Sequence, residues 1–378
     1  MSDMDYVALK EEVQRFAAGL AEGAAKIDLE RRFPAEHFKA LSGAGLMGIL
    51  IPPDLDGKGW DLRALAIACE AVGNASASTG LCFLMHACGT AVIGAKATPE
   101  QGQRWLRPAA AGEALATLAF SERATGAHFY APEITAERRN GSFVLNGKKS
   151  FVTSGGHAFL YPVLVNASGE PGLDILMVTP DMDGVSFEGE WDGIGMAGNS
   201  SIGMVLDEVT LSPDHLIGKE GDGQELVFNV VAPTFLVGLA AVNVGIAQAA
   251  LDAAVAHARS RRHLSGQALA EVPVIQGYLA DMSLRTESAR HLVQAAAAAC
   301  DAAQPSALPL VMLAKIGATE ASIEVTNLAM QVCGGQGYTR RLPVERYWRD
   351  ARAGAVMAPT NEVLKEWVGK LLTGLPLF

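Results

Sequence analysis

The residues that could carry acid, base or metal chemistry are widely spaced. The eight histidines stand apart, and no two of them lie at the spacing of metal ligands. The motifs HExxH, GxSxG and GxxxxGK[ST] are absent, and CGGQGY at 333–338 is not a GxGxxG after a strand. The sequence therefore predicts neither a metal ion nor the common nucleotide or hydrolase sites.

The five cysteines form no CxxC pair and no regular framework, so we expect reduced thiols and no zinc or disulfide scaffold. The N-terminal segment MSDMDYVALK lacks the basic and apolar regions of a signal peptide. Together these observations predict a cytoplasmic protein.

Composition and charge narrow the class of partner. The 378 residues are 49 % hydrophobic and 19 % charged, which is typical of a chain with cores of ordinary domain size rather than a disordered one. The net charge of -11 repels nucleic acid and anionic membranes. The most apolar stretch, 235–258, contains Asn243, Gln248 and Asp252, which favours a buried helix over a membrane span. We expect no nucleic-acid or membrane partner.

The pattern of apolar residues changes twice along the chain. Residues 1–117 show helical spacing, as in Leu9, Val13 and Phe16. Residues 118–222 alternate apolar and polar residues between turn signals such as Asn-Gly, which is typical of antiparallel strands. Helical periods return over 223–378, with helices predicted at 275–301 and 308–332, the latter broken by CGGQGY. Three domains in the order α, β, α are predicted with these limits.

Nine segments in a fixed order resemble the acyl-CoA dehydrogenase family, flavoproteins that oxidise acyl-CoA thioesters. The segments include LAFSERATGAH (118–128), LNGKKSFVTSGG (145–156), RRHLSGQAL (261–269), QVCGGQGYTRRLPVERYWRDAR (331–352) and PTNE (359–362). The resemblance covers nearly the whole chain. It implies an α+β fold with an N-terminal helical domain, a middle antiparallel β-barrel and a C-terminal four-helix bundle, and it implies bound FAD.

The resemblance places the flavin ring between two of these segments. In SERATGAH, where the family has Thr-Glu-Pro-Gly-Ala-Gly-Ser-Asp, Ser121 keeps a hydroxyl and Gly126 matches, whereas Arg123, Ala127 and His128 depart. In SFVTSGG, Phe151 and Thr153 hold the positions of the aromatic residue over the flavin and the threonine near its N5.

Other matching residues serve a neighbouring subunit in the family. Arg262 matches an arginine that reaches the partner's FAD pyrophosphate, and a guanidinium suits phosphate because it makes paired, charge-assisted hydrogen bonds. Gln331, Gly334 and Gly335 match the segment along the partner's FAD, and Thr360 matches the threonine beside the catalytic position. These matches imply a homodimer or homotetramer.

The catalytic base is the main departure. The family abstracts the α-proton of the thioester with a Glu in Tyr-Glu-Gly-Thr, but this chain has Met-Ala-Pro-Thr, so Ala358 stands at that position. The alternative family position, within 231–241, holds no carboxylate either. Loss of a general base costs about 10²- to 10⁴-fold in rate. His86, His128 and Glu362 are the titratable residues near matching segments that could replace it.

Three functions fit a chain with cofactor residues and no base. The first is an FAD-dependent oxidoreductase on an acyl-CoA or acyl-carrier thioester that passes electrons to an acceptor. The second is a flavin-dependent monooxygenase on the same fold, which uses O₂ in a tailoring or catabolic pathway and needs no thioester base. The third is a non-catalytic partner subunit. The joint presence of Ser121, Phe151, Thr153 and Arg262 favours the first two.

Overall fold

The computed structural model describes residues 5–169 and 172–377 of the chain. Helices occupy its first and last thirds, and all described strands lie between residues 137 and 211. The predicted α+β fold with two helical regions around a sheet region is therefore confirmed. The exact domain limits at 117 and 222 stay predictions.

Two buried helices form the centre of the N-terminal region. The side chain of Asp61 caps the first of them by accepting a hydrogen bond from Ala64 N, and Ser76 caps the second. Nearly every residue of this pair is buried, since other helices cover them on several sides. The N-terminal helices are α1 (Tyr6–Ala18), α2 (Ala21–Glu30), α3 (Ala35–Gly43), α4 (Leu62–Ala75), α5 (Ala77–Lys96), α6 (Pro99–Gln101) and α7 (Arg107–Ala111).

The described strands form two antiparallel sheets, where the family resemblance implied a single barrel. The larger has the order β1-β2-β6-β5 and the smaller pairs β3 with β4. The Asn-Gly turn predicted between β1 and β2 is present, with Asn140 and Gly141 both at positive φ. Both sheets contribute to one apolar core. The strands are β1 (Glu137–Arg139), β2 (Ser142–Val152), β3 (Tyr161–Asn166), β4 (Leu173–Val178), β5 (Val185–Glu188) and β6 (Ile202–Leu211).

The C-terminal helices follow the predicted periods. The third long helix is interrupted at Gly334, whose backbone is non-helical (φ 56°, ψ -141°), and helical turns resume beyond it up to Gly337. Glycine adopts this φ without the penalty that a Cβ would bring, so the break predicted at CGGQGY is present. The helices are α8 (Gly223–Leu226), α9 (Ala232–Ser260), α10 (Pro273–Asp301), α11 (Ala307–Gly337), α12 (Val344–Val356) and α13 (Asn361–Thr373).

Two helical stretches are long and apolar enough to cross a membrane by length and composition, Ala77–Lys96 and Gly223–Ser260. Most of each is buried inside the protein, 83 % and 78 % of the most apolar window. Core helices have this property as well, because they are covered by protein on all sides.

The five cysteines are free thiols. Cys69 lies on α4, Cys82 and Cys88 lie on α5, and all three are fully buried. Burial raises the pKa of each of these thiols.

Candidate active site

A cavity of about 410 Å³ lies where the helical regions meet the sheet region. All three thirds of the chain contribute to its wall. The helices contribute apolar residues from α5, from the start of α9 with the residue before it, and from the end of α12: Leu81, Met85, Val231, Ala232, Phe235, Ala353 and Val356. The sheet region adds Leu118, Phe120, Ser121, Glu122, Arg123, Gly126, Phe129, Ser150, Phe151, Thr153, Trp191, Met196, Asn199 and Ser201, and the segment after α12 adds Met357, Ala358 and Pro359.

The four residues predicted to contact the flavin ring line this one cavity, namely Ser121, Gly126, Phe151 and Thr153. The segments around Ser121 and β2 lie side by side, since Ser150 N donates a hydrogen bond to Ser121 O at 2.8 Å. The fold thus brings together the two segments that the sequence analysis singled out.

Phe151 and Thr153 differ in exposure although they lie at the end of β2 and just beyond it. Thr153 is buried and its hydroxyl lies 3.0 Å from that of Ser201. Phe151 is 71 % exposed and has φ +51°, a left-handed conformation that costs roughly 1–2 kcal/mol for a residue with a Cβ. An aromatic ring held open in this way is available for stacking.

A buried ion pair holds the segment that follows Ser121. Lys149 Nζ lies 2.6 Å from Glu122 Oε1 and also donates to the carbonyls of Phe120 and Leu164. The other carboxylate oxygen accepts from Glu133 N at 2.7 Å. Burial lowers the pKa of Lys149 to about 8, against the opposing effect of the carboxylate. Both carboxylate oxygens of Glu122 therefore bind groups of the protein itself, although Glu122 lines the cavity.

The cavity fits the flavin that the family implies. Ser150 Oγ and Asn199 Oδ1 are buried without a hydrogen-bond partner among the described residues. Such atoms can form hydrogen bonds with a bound polar ligand. Gly126 has φ +54°, and a Cβ added there would meet no atom within 4 Å, so the backbone is open to close approach. With Ser121, Thr153 and Phe151, these residues would hold the isoalloxazine ring.

Ala358, which the resemblance aligns with the family's base, lines the cavity, and its side chain holds no proton acceptor. Its segment is anchored from behind by Lys315, which is buried on α11. Lys315 Nζ donates to Pro359 O at 3.0 Å and to Asn361 Oδ1 at 2.9 Å, with Met357 O at 3.4 Å. Burial lowers the pKa of Lys315 to about 8.

None of the three candidate replacements for the base lines the cavity. His86 is buried and both ring nitrogens are engaged: Nδ1 accepts from Ala116 N and Nε2 lies 2.9 Å from Met47 O. Burial lowers its pKa to about 4. His128 is exposed and its Nδ1 lies 2.9 Å from the Tyr130 hydroxyl. Glu362 is exposed in the first turn of α13.

The residues that the resemblance assigns to a neighbour's cofactor lie outside this cavity. Arg262, Gln331, Gly334 and Gly335 are all exposed. Leu264, beside Arg262, is fully exposed as well. Thr360 is also absent from the wall, and its hydroxyl caps α13 by accepting from Val363 N at 3.4 Å.

Several residues of the site were not identified from the sequence. Lys149 and Asn199 lie in segments that match the family, so the resemblance could have found them. Trp191, which donates from Nε1 to Met196 O at 2.9 Å, and the apolar wall at Phe235 carry no local motif. Only the tertiary structure brings them to the cavity.

Known proteins match this chain over most of its length. Family models described as the N-terminal, middle and C-terminal domains of acyl-CoA dehydrogenase match residues 4–113, 117–209 and 237–373. The chain is 34 % identical over 346 residues to the mitochondrial short-chain specific acyl-CoA dehydrogenase of Bos taurus, covering 90 % of this chain and 83 % of the relative.

Solved structures agree with the sequence comparison. Butyryl-CoA dehydrogenase from Megasphaera elsdenii superposes with a TM-score of 0.92 and 25 % identity, covering 98 % of this chain and all of the other. A glutaryl-coenzyme A dehydrogenase in complex with glutaryl-CoA gives 0.93 and 26 %, covering 100 % and 97 %. The family resemblance seen in the sequence is thus confirmed. The chain belongs to the acyl-CoA dehydrogenase family and is an FAD-dependent oxidoreductase that acts on acyl-CoA.

Proposed function

We propose that this chain oxidises a short, apolar acyl thioester, carried by coenzyme A or an acyl carrier, without a carboxylate base at the family's usual position. The observation that carries the proposal is the single cavity that joins flavin-binding residues such as Ser121 and Thr153 to the apolar side chains of α5 and α9. The bovine relative is named short-chain specific, and the Megasphaera neighbour is a butyryl-CoA dehydrogenase, which supports a short acyl group.

The reaction class is α,β-dehydrogenation. The Cα–H bond breaks and releases a proton, the Cβ–H bond breaks and releases a hydride, and a Cα=Cβ double bond forms. Bound FAD supplies the two-electron acceptor for that hydride. The protein's own residues hold the thioester against the cavity wall, with the apolar side chains of α5 and α9 packed on the acyl group.

The proton needs a different acceptor from that of the family. Within the described part of the chain, Glu122 and Arg123 are the ionisable residues that line the cavity, and Glu122 is bonded to Lys149. The proton therefore passes to water or to a group of the substrate. This arrangement favours thioesters whose α-proton is acidified by a neighbouring unsaturated or aromatic group.

An anaerobic titration of the purified holoprotein tests this function. Butyryl-CoA, hexanoyl-CoA and 2-phenylpropionyl-CoA, whose α-proton is acidified by the phenyl group on Cα, are added in turn, and the flavin absorbance is followed before air is admitted. Bleaching by a thioester alone, with enoyl product, is the expected result. Oxygen consumption with a hydroxylated product would replace the proposal by monooxygenation, and a protein that binds no FAD would point to a silent subunit.

We also propose that the chain works as a homodimer or homotetramer. Arg262, Gln331 and Gly335 are exposed and do not line the cavity of their own chain, which supports a role at a neighbour's cofactor. Light scattering with a flavin count tests it, because a monomer that carries full FAD would contradict the proposal.

The free thiols are compatible with a cytoplasmic location, which we propose from the sequence.

A further inference from the structure

Arg123 is the cationic residue of the cavity wall. Its side chain is exposed, whereas apolar wall residues such as Leu81 and Val231 are buried, so it lies toward the open side. No described residue makes a hydrogen bond or an ion pair with its guanidinium, and Glu122, beside it in sequence, is neutralised by Lys149. The charge that faces a ligand at this end of the cavity is therefore positive.

The local backbone presents Arg123 outward. Thr125 closes a tight turn, because its hydroxyl donates to Glu122 O at 2.9 Å and accepts from Glu122 N at 3.2 Å. The side chain of Glu122 points inward to Lys149. Arg123 therefore lies between two anchored residues, Glu122 and Thr125. A guanidinium in this position can reorient toward a ligand without breaking an existing contact.

The chemistry of this position differs from the family pattern. Proline usually stands where this chain has Arg123, and aspartate where it has His128. The turn has thus gained a cation and lost an anion in a chain whose net charge is -11. An isolated positive group in a negative protein concentrates anions near it.

We infer that Arg123 binds a phosphate on the pantetheine arm of the thioester carrier. This inference rests on the proposed function, since it takes the ligand to be an acyl thioester. The apolar wall receives the uncharged acyl group, so the anionic end of the ligand lies toward the open side, where Arg123 is exposed. Arginine pairs with phosphate through parallel, charge-assisted hydrogen bonds. Coenzyme A and acyl carriers share this phosphate.

Binding measurements on the FAD-loaded protein test the inference without turnover. Calorimetric titration with coenzyme A should give a dissociation constant raised about tenfold or more in Arg123→Gln, the effect of losing a hydrogen bond to a charged partner. Arg123→Lys should keep part of the affinity because it keeps the charge. Arg15→Gln, which alters an exposed arginine on α1 outside the cavity, is the matched control and should bind like the wild type.

Two further probes separate the sources of phosphate. Pantetheine, which has no phosphate, should bind wild type and Arg123→Gln equally, and FAD affinity measured by reconstitution should not change. Weaker FAD binding in the variant would assign Arg123 to the flavin pyrophosphate, and an unchanged affinity for coenzyme A would remove it from ligand binding; either result overturns the inference. A wild type that bound no coenzyme A and whose flavin no thioester bleached would refute the proposed function together with the inference.

Discussion

Two buried lysines anchor segments that line the cavity, and they do so through different types of partner. Lys149, on β2, pairs with the Glu122 carboxylate and anchors the flavin-side segment. Lys315, on α11, has only neutral acceptors, two carbonyls and the Asn361 amide, and anchors the segment that carries Ala358. Burial lowers the pKa of both to about 8.

The difference lies in what remains when each lysine is removed. Without Lys149, a carboxylate stays buried with no counter-charge, which is the costly outcome for a buried ion pair. Without Lys315, the carbonyl and amide oxygens lose their donor, but none of these acceptors is a charged group left unpaired in the interior. The segment after Ser121 thus depends on charge compensation, and the segment with Ala358 depends mainly on hydrogen-bond donation.

The largest expected effect comes from Lys149→Met. Because it leaves Glu122 charged and buried, unfolding free energy measured in urea should fall by about 3–5 kcal/mol. The matched variant Lys149→Met with Glu122→Gln removes both charges and should recover part of that loss. Equal losses in the single and double variants would contradict charge compensation as the main role of the pair.

Lys315→Met should have a smaller effect, a loss of about 1–3 kcal/mol from the carbonyls and amide left without a donor. The change should also raise the KM for acyl-CoA while leaving FAD affinity unchanged, because the loosened segment lines the cavity at Ala358. Lys315→Arg retains donors and serves as the comparison. A loss as large as that of Lys149→Met would remove the distinction between the two lysines.

The segment anchored by Lys315 can be tested for its ability to present a base. The double variant Ala358→Glu with Pro359→Gly should raise α,β-dehydrogenation at least about tenfold, a part of the usual general-base contribution. Glycine is included because the fixed φ of proline restricts where a new carboxylate can point. Ala358→Gln with Pro359→Gly is the uncharged control. If the folded, FAD-loaded variant is not reduced by any acyl thioester, the cavity is not built for acyl-CoA oxidation.

The pH dependence gives the smallest effect. Lys315 has a folded pKa of about 8, below the usual 10.5, so the unfolded chain binds more protons between these values and stability rises with pH there. The stability of wild type minus that of Lys315→Met should therefore increase by about 1 kcal/mol from pH 7 to pH 9. Subtraction removes the contributions of cysteines and other lysines. A flat or falling difference would show that Lys315 is not held charged against its burial.

The sequence predicted that Ser121, Phe151 and Thr153 belong to one site, and the structure brings all three to one cavity. They lie in short segments that match the family, so their types and order were enough; their contact with the flavin stays a prediction. Lys315 was missed because its partners lie 42 to 46 residues further along the chain and no local pattern links them. The two-sheet arrangement depends on packing that residue types do not encode locally.

The buried thiols of α4 and α5 allow a thiol reagent to report the opening of the N-terminal helices. Burial raises the pKa of Cys69 and Cys82, so neither is a nucleophile while these helices stay packed. Cys300, at the far end of α10, is only half-buried. A thiol reagent therefore modifies Cys300 ahead of the others, and the delay before Cys69, Cys82 and Cys88 react measures how often the helices beneath the cavity open.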